Sequence, residues 1–203
     1  MTDQVTEQEL KDRLNLIESM ISEGRRTTES WGWTFVLWGV AYYVAIAWAS
    51  FGHSGLAWPV TMVAASVLTT ILASRRASKH PETTLGRAMI AIWFGMGASM
   101  FVVMVSLGVS GRVDLHIGVA IIGAMLGAAN ATSSILLKWR MQFASALVWW
   151  ATAAVSCFLS ETQAGIAFLI AIFFCQIVFG IYCMKAESSK QKDSSAVRGA
   201  YHA

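Results

Sequence analysis

Six stretches of nearly unbroken apolar residues divide the chain, with polar or charged segments between them. They run approximately over Trp31–Ser50, Leu56–Ser74, Ala88–Gly108, Leu115–Leu137, Met141–Leu159 and Ala164–Met184. At a rise of 1.5 Å per residue, roughly 20 residues of helix cross a hydrocarbon layer of about 30 Å, and every stretch reaches about that length. A helix satisfies its own backbone inside a bilayer, and none of the stretches alternates as a barrel strand would. The pattern predicts an all-α, polytopic membrane protein with six transmembrane helices across 31–184.

Ahead of the first stretch the periodicity changes. Leu10, Leu14, Ile17 and Ile21 are spaced by four, three and four residues, and Met20 widens the stripe. Glu7, Glu9, Lys11, Asp12 and Arg13 occupy much of the remaining surface. Segment 1–30 therefore predicts an amphipathic helix that ends at Gly24, with Arg25 and Arg26 suited to its C-terminus. The stripe fits docking on the inner leaflet or on the base of the bundle. A short contact with a second copy or another protein would use the same residues, although two heptads are too few for a free coiled coil. Between spans two and three, Pro81 and Gly86 are expected to break any helix. Segment 185–203, with few apolar residues, predicts a disordered tail.

Composition and charge turn this pattern into an orientation. The 203 residues are 56% hydrophobic and 13% charged, whereas a soluble domain carries about 25% charge. Of 15 basic residues, four (Lys11, Arg13, Arg25, Arg26) precede span one and four (Arg75, Arg76, Lys79, Arg87) lie between spans two and three. Lys138 and Arg140 separate spans four and five, and Lys185, Lys190, Lys192 and Arg198 follow span six. Only Arg112 is on the other side. The positive-inside rule then places both termini in the cytoplasm. Arg25, Arg26, Arg75 and Arg76 are expected to meet anionic lipid headgroups, each contact worth about 1 kcal/mol. Without a soluble domain to organise the basic face, nucleic acid is not an expected partner. The first thirty residues lack the apolar core of a signal peptide.

Candidate chemistry is sparse. No ionisable side chain falls in the middle of a span, which argues against proton-coupled transport and intramembrane hydrolysis, and no catalytic residue is assigned. His53, Asp114, His116 and Glu161 lie near the outer ends without a ligand spacing, so neither a metal nor a cofactor is expected. Cys157, Cys175 and Cys183 read as small apolar fillers. Asn130 and Gln176 are the two amides at depth, accompanied by Thr69, Thr70, Ser133 and Ser134. Such groups either hydrogen-bond between helices or line a polar path for a small solute. Gly118, Gly123 and Gly127 give span four a small-residue face for close packing, which places it at the centre of the bundle. Trp38, Trp93 and Trp149 are 55 and 56 residues apart, but other matches have unequal offsets, so a triplicated hairpin is not assigned.

The junction Glu23-Gly-Arg-Arg-Thr-Thr-Glu-Ser-Trp-Gly-Trp33, together with the span layout, resembles six-span bacterial membrane proteins that carry an N-terminal amphipathic helix. The resemblance implies a multi-pass protein of the bacterial inner membrane and no particular activity. Scarce charge, short outer loops and the amphipathic segment point to a non-enzymatic accessory, sensory or regulatory component. It would act through helix packing and its cytoplasmic face, as a homo-oligomer or with a membrane-protein partner. The alternative is a passive channel or facilitator for a small neutral solute. A membrane enzyme comes third.

Overall fold

A computed structural model describes residues 2–52, 55–77, 84–112 and 114–189. The helices are α1 (Thr2–Ser30), α2 (Gly32–Gly52), α3 (Ala57–Ala77), α4 (Thr84–Val109), α5 (Leu115–Leu136), α6 (Arg140–Ser156) and α7 (Glu161–Ile172). A π-helical turn, Phe173–Val178, follows α7 without a break, and α8 continues over 179–189. Among the described residues there is no strand.

Short polar connections start two of these helices. Asp114 is the N-cap of α5, its carboxylate accepting from the Ile117 amide at 2.7 Å. Ser160 and Gln163 form a reciprocal capping box at the start of α7. Both devices satisfy amides that a helix end would otherwise leave unpaired.

Among the described residues, five helices are long and apolar enough to cross a membrane: α2, most of α3 and α4, α5, and the continuous run Glu161–Ser189. The sixth sequence stretch forms α6, which has 17 residues and a length of about 26 Å. It packs antiparallel to α5. An added Cβ at Gly123 would lie 3.0 Å from Ala153 Cβ, and one at Gly127 would meet the Trp150 ring. At the far end the His116 ring nitrogen lies 3.0 Å from the Leu159 carbonyl oxygen. The segment from Arg140 to Leu159 thus runs the full length of α5.

Helix α5 is central and α4 peripheral: 56% of the most apolar 18 residues of the first are buried in the bundle against 6% of those of the second. Phe94, Phe101 and Val102 of α4 are exposed, an outer surface suited to lipid rather than water. The main core joins Tyr42, Val119, Leu126, Trp149, Phe168 and Ile172. Tyr43 donates to the Leu169 carbonyl at 2.8 Å and ties α2 to α7. A second apolar cluster, including Phe35, Met89, Leu137, Trp139 and Phe179, fills the end of the bundle beneath which α1 lies.

Three local expectations are corrected. Helix α1 does not stop at Gly24 but continues to Ser30. Gly24 is buried where α1 crosses the bundle, and a Cβ there would collide with the Leu85 and Leu137 side chains. The glycine provides close approach, not a cap. Gly86 is buried in the first turn of α4 and does not break the helix. Ordered helix also extends beyond Ala186 to Ser189. His53, Lys79, Pro81 and the tail beyond Ser189 lie outside the described residues, as do the side chains of Arg25, Arg26 and Arg76.

Candidate functional site

Two features concentrate what the chain offers chemically: a polar seam inside the bundle and the amphipathic arm across its base.

The seam begins with the pattern of α6. Its buried face carries Gln142, Ser145, Trp149, Thr152 and Ser156, at intervals of three, four, three and four residues. One stripe of the helix is therefore polar and turned inward. Met141, Leu147, Val148 and Val155 face outward. This inverts the arrangement of a soluble helix, as a lipid environment requires. Thr152 and Ser156 hydrogen-bond back to carbonyls of their own helix, Val148 and Ala153. Gln142 and Trp149 do not follow them.

The antiparallel register brings other polar groups to the same level. With Gly123 opposite Ala153 and Gly127 opposite Trp150, Asn130 and Ser133 of α5 come beside the stretch Gln142–Ala146. On the other flank, Cys175 Sγ donates to the Ser145 carbonyl at 3.7 Å, and the Trp139 and Phe179 rings meet at 5.3 Å. Between these contacts the π-helical turn brings Gln176 level with Gln142. Gly39 of α2 closes the side, since a Cβ there would stand 2.9 Å from Gln176 Cβ.

Asn130, Ser133, Gln142, Trp149 and Gln176 are each at least 97% buried. Among the described residues, no hydrogen-bond partner is found for Asn130 Oδ1, Ser133 Oγ, Gln142 Oε1, Gln142 Nε2, Trp149 Nε1 or Gln176 Oε1. Each unmet group of this kind costs about 1–3 kcal/mol. Asn130 does donate through Nδ2 to the Leu126 carbonyl, and Ser134 Oγ donates to Ala131. A π-helical turn is rare and tends to occur at functional sites. Here it carries both Cys175 and Gln176.

The sequence-predicted polar set therefore divides. Asn130, Ser133, Ser134 and Gln176 belong to one region. Thr69 and Thr70 stand on α3, which packs on α2, and Thr70 bonds within its own helix to the Ser66 carbonyl. Gln142 was missed because it sits beside Met141 at the predicted membrane boundary, where an amide reads as interfacial. The polar stripe along span five was the available signal. Gly123 and Gly127 face α6, while a Cβ at Gly118 would meet only Met104, at 3.7 Å. Gly32 and Gly180, which form another close crossing, were not singled out.

The arm has two unlike halves. Toward its C-terminus, Ile21 is partly buried beside Leu85 and Ala88 of α4, with Ile17 and Met20, 50% and 41% exposed, at the rim of the same groove. Gly24 and Glu29 are buried at the base. Toward the N-terminus, Leu10 and Leu14 remain more than half exposed. The flanks of the stripe in that half carry the pairs Glu7–Lys11 at 2.7 Å and Glu9–Arg13 at 2.6 Å. Residues 2–23 contain six acidic and two basic side chains.

The outer polar residues do local structural work. Asp114 caps α5, His116 contacts the Leu159 carbonyl, and Glu161 lies exposed in the first turn of α7. No family model, curated protein or solved structure matches the chain.

Proposed function

We propose that the protein is a non-enzymatic component of the bacterial inner membrane. It anchors the C-terminal half of α1 in a six-span bundle and presents the N-terminal half, on the cytoplasmic side, to a protein partner. The observation that carries this reading is the division of α1. Gly24 is buried against Leu85 and Leu137 and Ile21 is partly buried beside Leu85 and Ala88, while the stripe from Ile17 back through Leu14 and Leu10 is half-exposed or more among the described residues.

Charge selects the kind of partner. An interfacial helix that binds anionic lipid is typically rich in Lys and Arg, whereas α1 as a whole carries seven acidic and four basic side chains, Arg25 and Arg26 among the latter. The complementary surface is an apolar groove with a basic rim, on a regulatory or accessory target. Two like-charged arms repel, so a simple arm-to-arm dimer is disfavoured. The reading of six spans is supported by α6 and the turn after it running alongside α5. The reading of cytoplasmic termini is supported by 14 of 15 basic residues falling on one side of such a bundle.

The test is site-specific photocrosslinking in intact cells, with the probe at position 14 or, as a control on the opposite face, at position 12. The expected result is a discrete protein adduct at 14 and none at 12. Leu14→Asp with Ile17→Asp should abolish the interaction while the bundle still inserts. Adducts to lipid alone, or equal adducts at both positions, would contradict the reading.

A further inference from the structure

The turn between α5 and α6 carries a groove that is separate from both the seam and the arm. We propose that Lys138 and Arg140 hold the phosphate of an anionic phospholipid in this groove, with the start of an acyl chain along Ile135 and Phe143. The site rests on the membrane-spanning bundle of the proposed function and not on the arm or its partner.

Three observations converge. First, there is room: an open groove of about 310 Å³ is lined by Ile135, Lys138, Arg140 and Phe143, with the buried Ser134 and Trp139 behind them. Both cationic residues are exposed, and among the described residues no carboxylate lines the groove. Arg140 offers a planar fork of N–H donors that matches a phosphate. The Lys138 ammonium has three donors, so it can hold a phosphate oxygen alongside another acceptor. Second, the groove is amphipathic in the direction a lipid requires. Ile135 precedes Lys138 by three residues on α5 and Phe143 follows Arg140 by three on α6, so both stand about one turn inside the charged end. They are 69% and 39% exposed, and Leu147, a further turn along α6, is 52% exposed. Third, the turn places a lysine where glycine is usual. Lys138 has a φ of 48°, its amide donates to the Ile135 carbonyl at 3.3 Å, and the Trp139 amide donates to the Ser134 carbonyl at 2.9 Å. These bonds close α5 as a Schellman motif, whose left-handed position glycine fills without steric cost. The backbone cost of a lysine there is offset when its ammonium holds an anion.

The same features separate a lipid from other anions. Free phosphate would use the two cations and leave Ile135 and Phe143 uncovered. An acidic protein segment would have to carry its backbone past the cations to reach those side chains, into a layer where unsatisfied backbone groups are costly. A zwitterionic lipid brings its own cation and loses part of the attraction. A phospholipid of net negative charge matches both ends of the groove, and basic pockets between membrane helices bind such headgroups.

Native mass spectrometry of the full-length protein tests this by lipid titration, with phosphatidylglycerol as the probe and phosphatidylcholine of the same chains as its zwitterionic counterpart. The tightest phosphatidylglycerol site should exceed any phosphatidylcholine site in affinity. Lys138→Gly and Arg140→Gln should each weaken it about fivefold, the loss expected for one cation beside an anionic headgroup. Lys138→Gly installs the residue that this backbone favours, so a loss of affinity in it cannot come from a misformed turn. Protein that does not incorporate into phospholipid nanodiscs would overturn the membrane bundle and the site with it. Protein that incorporates but holds the two lipids equally, or binds phosphatidylglycerol unchanged in both variants, would overturn the site alone. Displacement of the lipid by inorganic phosphate would show a groove for a soluble anion and overturn the assignment to lipid. The photocrosslink at position 14 reads the arm separately.

Discussion

Gln142 shows how one residue can be legible in type and illegible in role. Its side chain is wholly buried, yet both of its polar atoms lack a partner. Gln142→Leu should therefore stabilise the bundle by about 1–3 kcal/mol, because an apolar isostere removes two unmet groups and keeps most of the volume. Denaturant titration in detergent micelles checks this, and a clear loss of stability would show that the amide has a partner after all. From the sequence, Asn130 and Gln176 were recognisable because each is an isolated amide in an apolar run. Gln142 stands two residues from Arg140, and hydropathy alone cannot tell a snorkelling interfacial amide from one turned into the core. Only the partner helix decides.

At the scale of elements, close packing depends on which glycines meet a neighbour. A side chain at Gly127 would overlap the Trp150 indole, whose Nε1 donates to the Ala124 carbonyl at 3.3 Å and clamps α6 onto α5. Gly127→Val should destabilise the protein by about 1–3 kcal/mol through overpacking. Gly118→Ala, whose Cβ would meet only Met104 at 3.7 Å, should be tolerated. Thermal unfolding of the two variants in one detergent makes the comparison, and equal effects would contradict the packing described. Small-residue spacing singled out all three glycines of α5, but Gly118 lies five residues from Gly123, about 140° round the helix, and faces Met104 of α4 instead of α6. It could not rank them, since the distances to α4 and α6 depend on how the helices cross. Gly24 is the opposite lesson. Glycine followed by two arginines matches a helix end, but the burial of Gly24 against Leu85 and Leu137 lets the helix continue. The π-helical turn had no local signal, because Phe173–Val178 reads as ordinary apolar helix.

For the whole molecule, scarcity of charge proved more informative than any motif. It predicted an all-helical chain, and the helices then appeared close to the apolar stretches, five of them among the described residues long and apolar enough to cross a membrane, with α5 at the centre as its small residues suggested. Helix α6 is the shortest of the stretches because its ends, Arg140 and the turn after Ser156, are set by packing along α5 and not by hydropathy. The arm was legible as an amphipathic helix but not as a divided one. Periodicity defines a stripe, whereas the length of stripe that the bundle covers depends on where α4 begins. Whether the uncovered part rests on lipid or stands free for a protein is the point on which the proposed function turns. The direct measurement is spin-label accessibility at Leu14→Cys, in a background with Cys157, Cys175 and Cys183 replaced, on purified protein in anionic nanodiscs. The expected result is a label relaxed strongly by a water-soluble nickel chelate and weakly by oxygen, as on a free helix. A label relaxed mainly by oxygen, as at lipid depth, would mean that the arm lies in the membrane surface and is not offered to a partner.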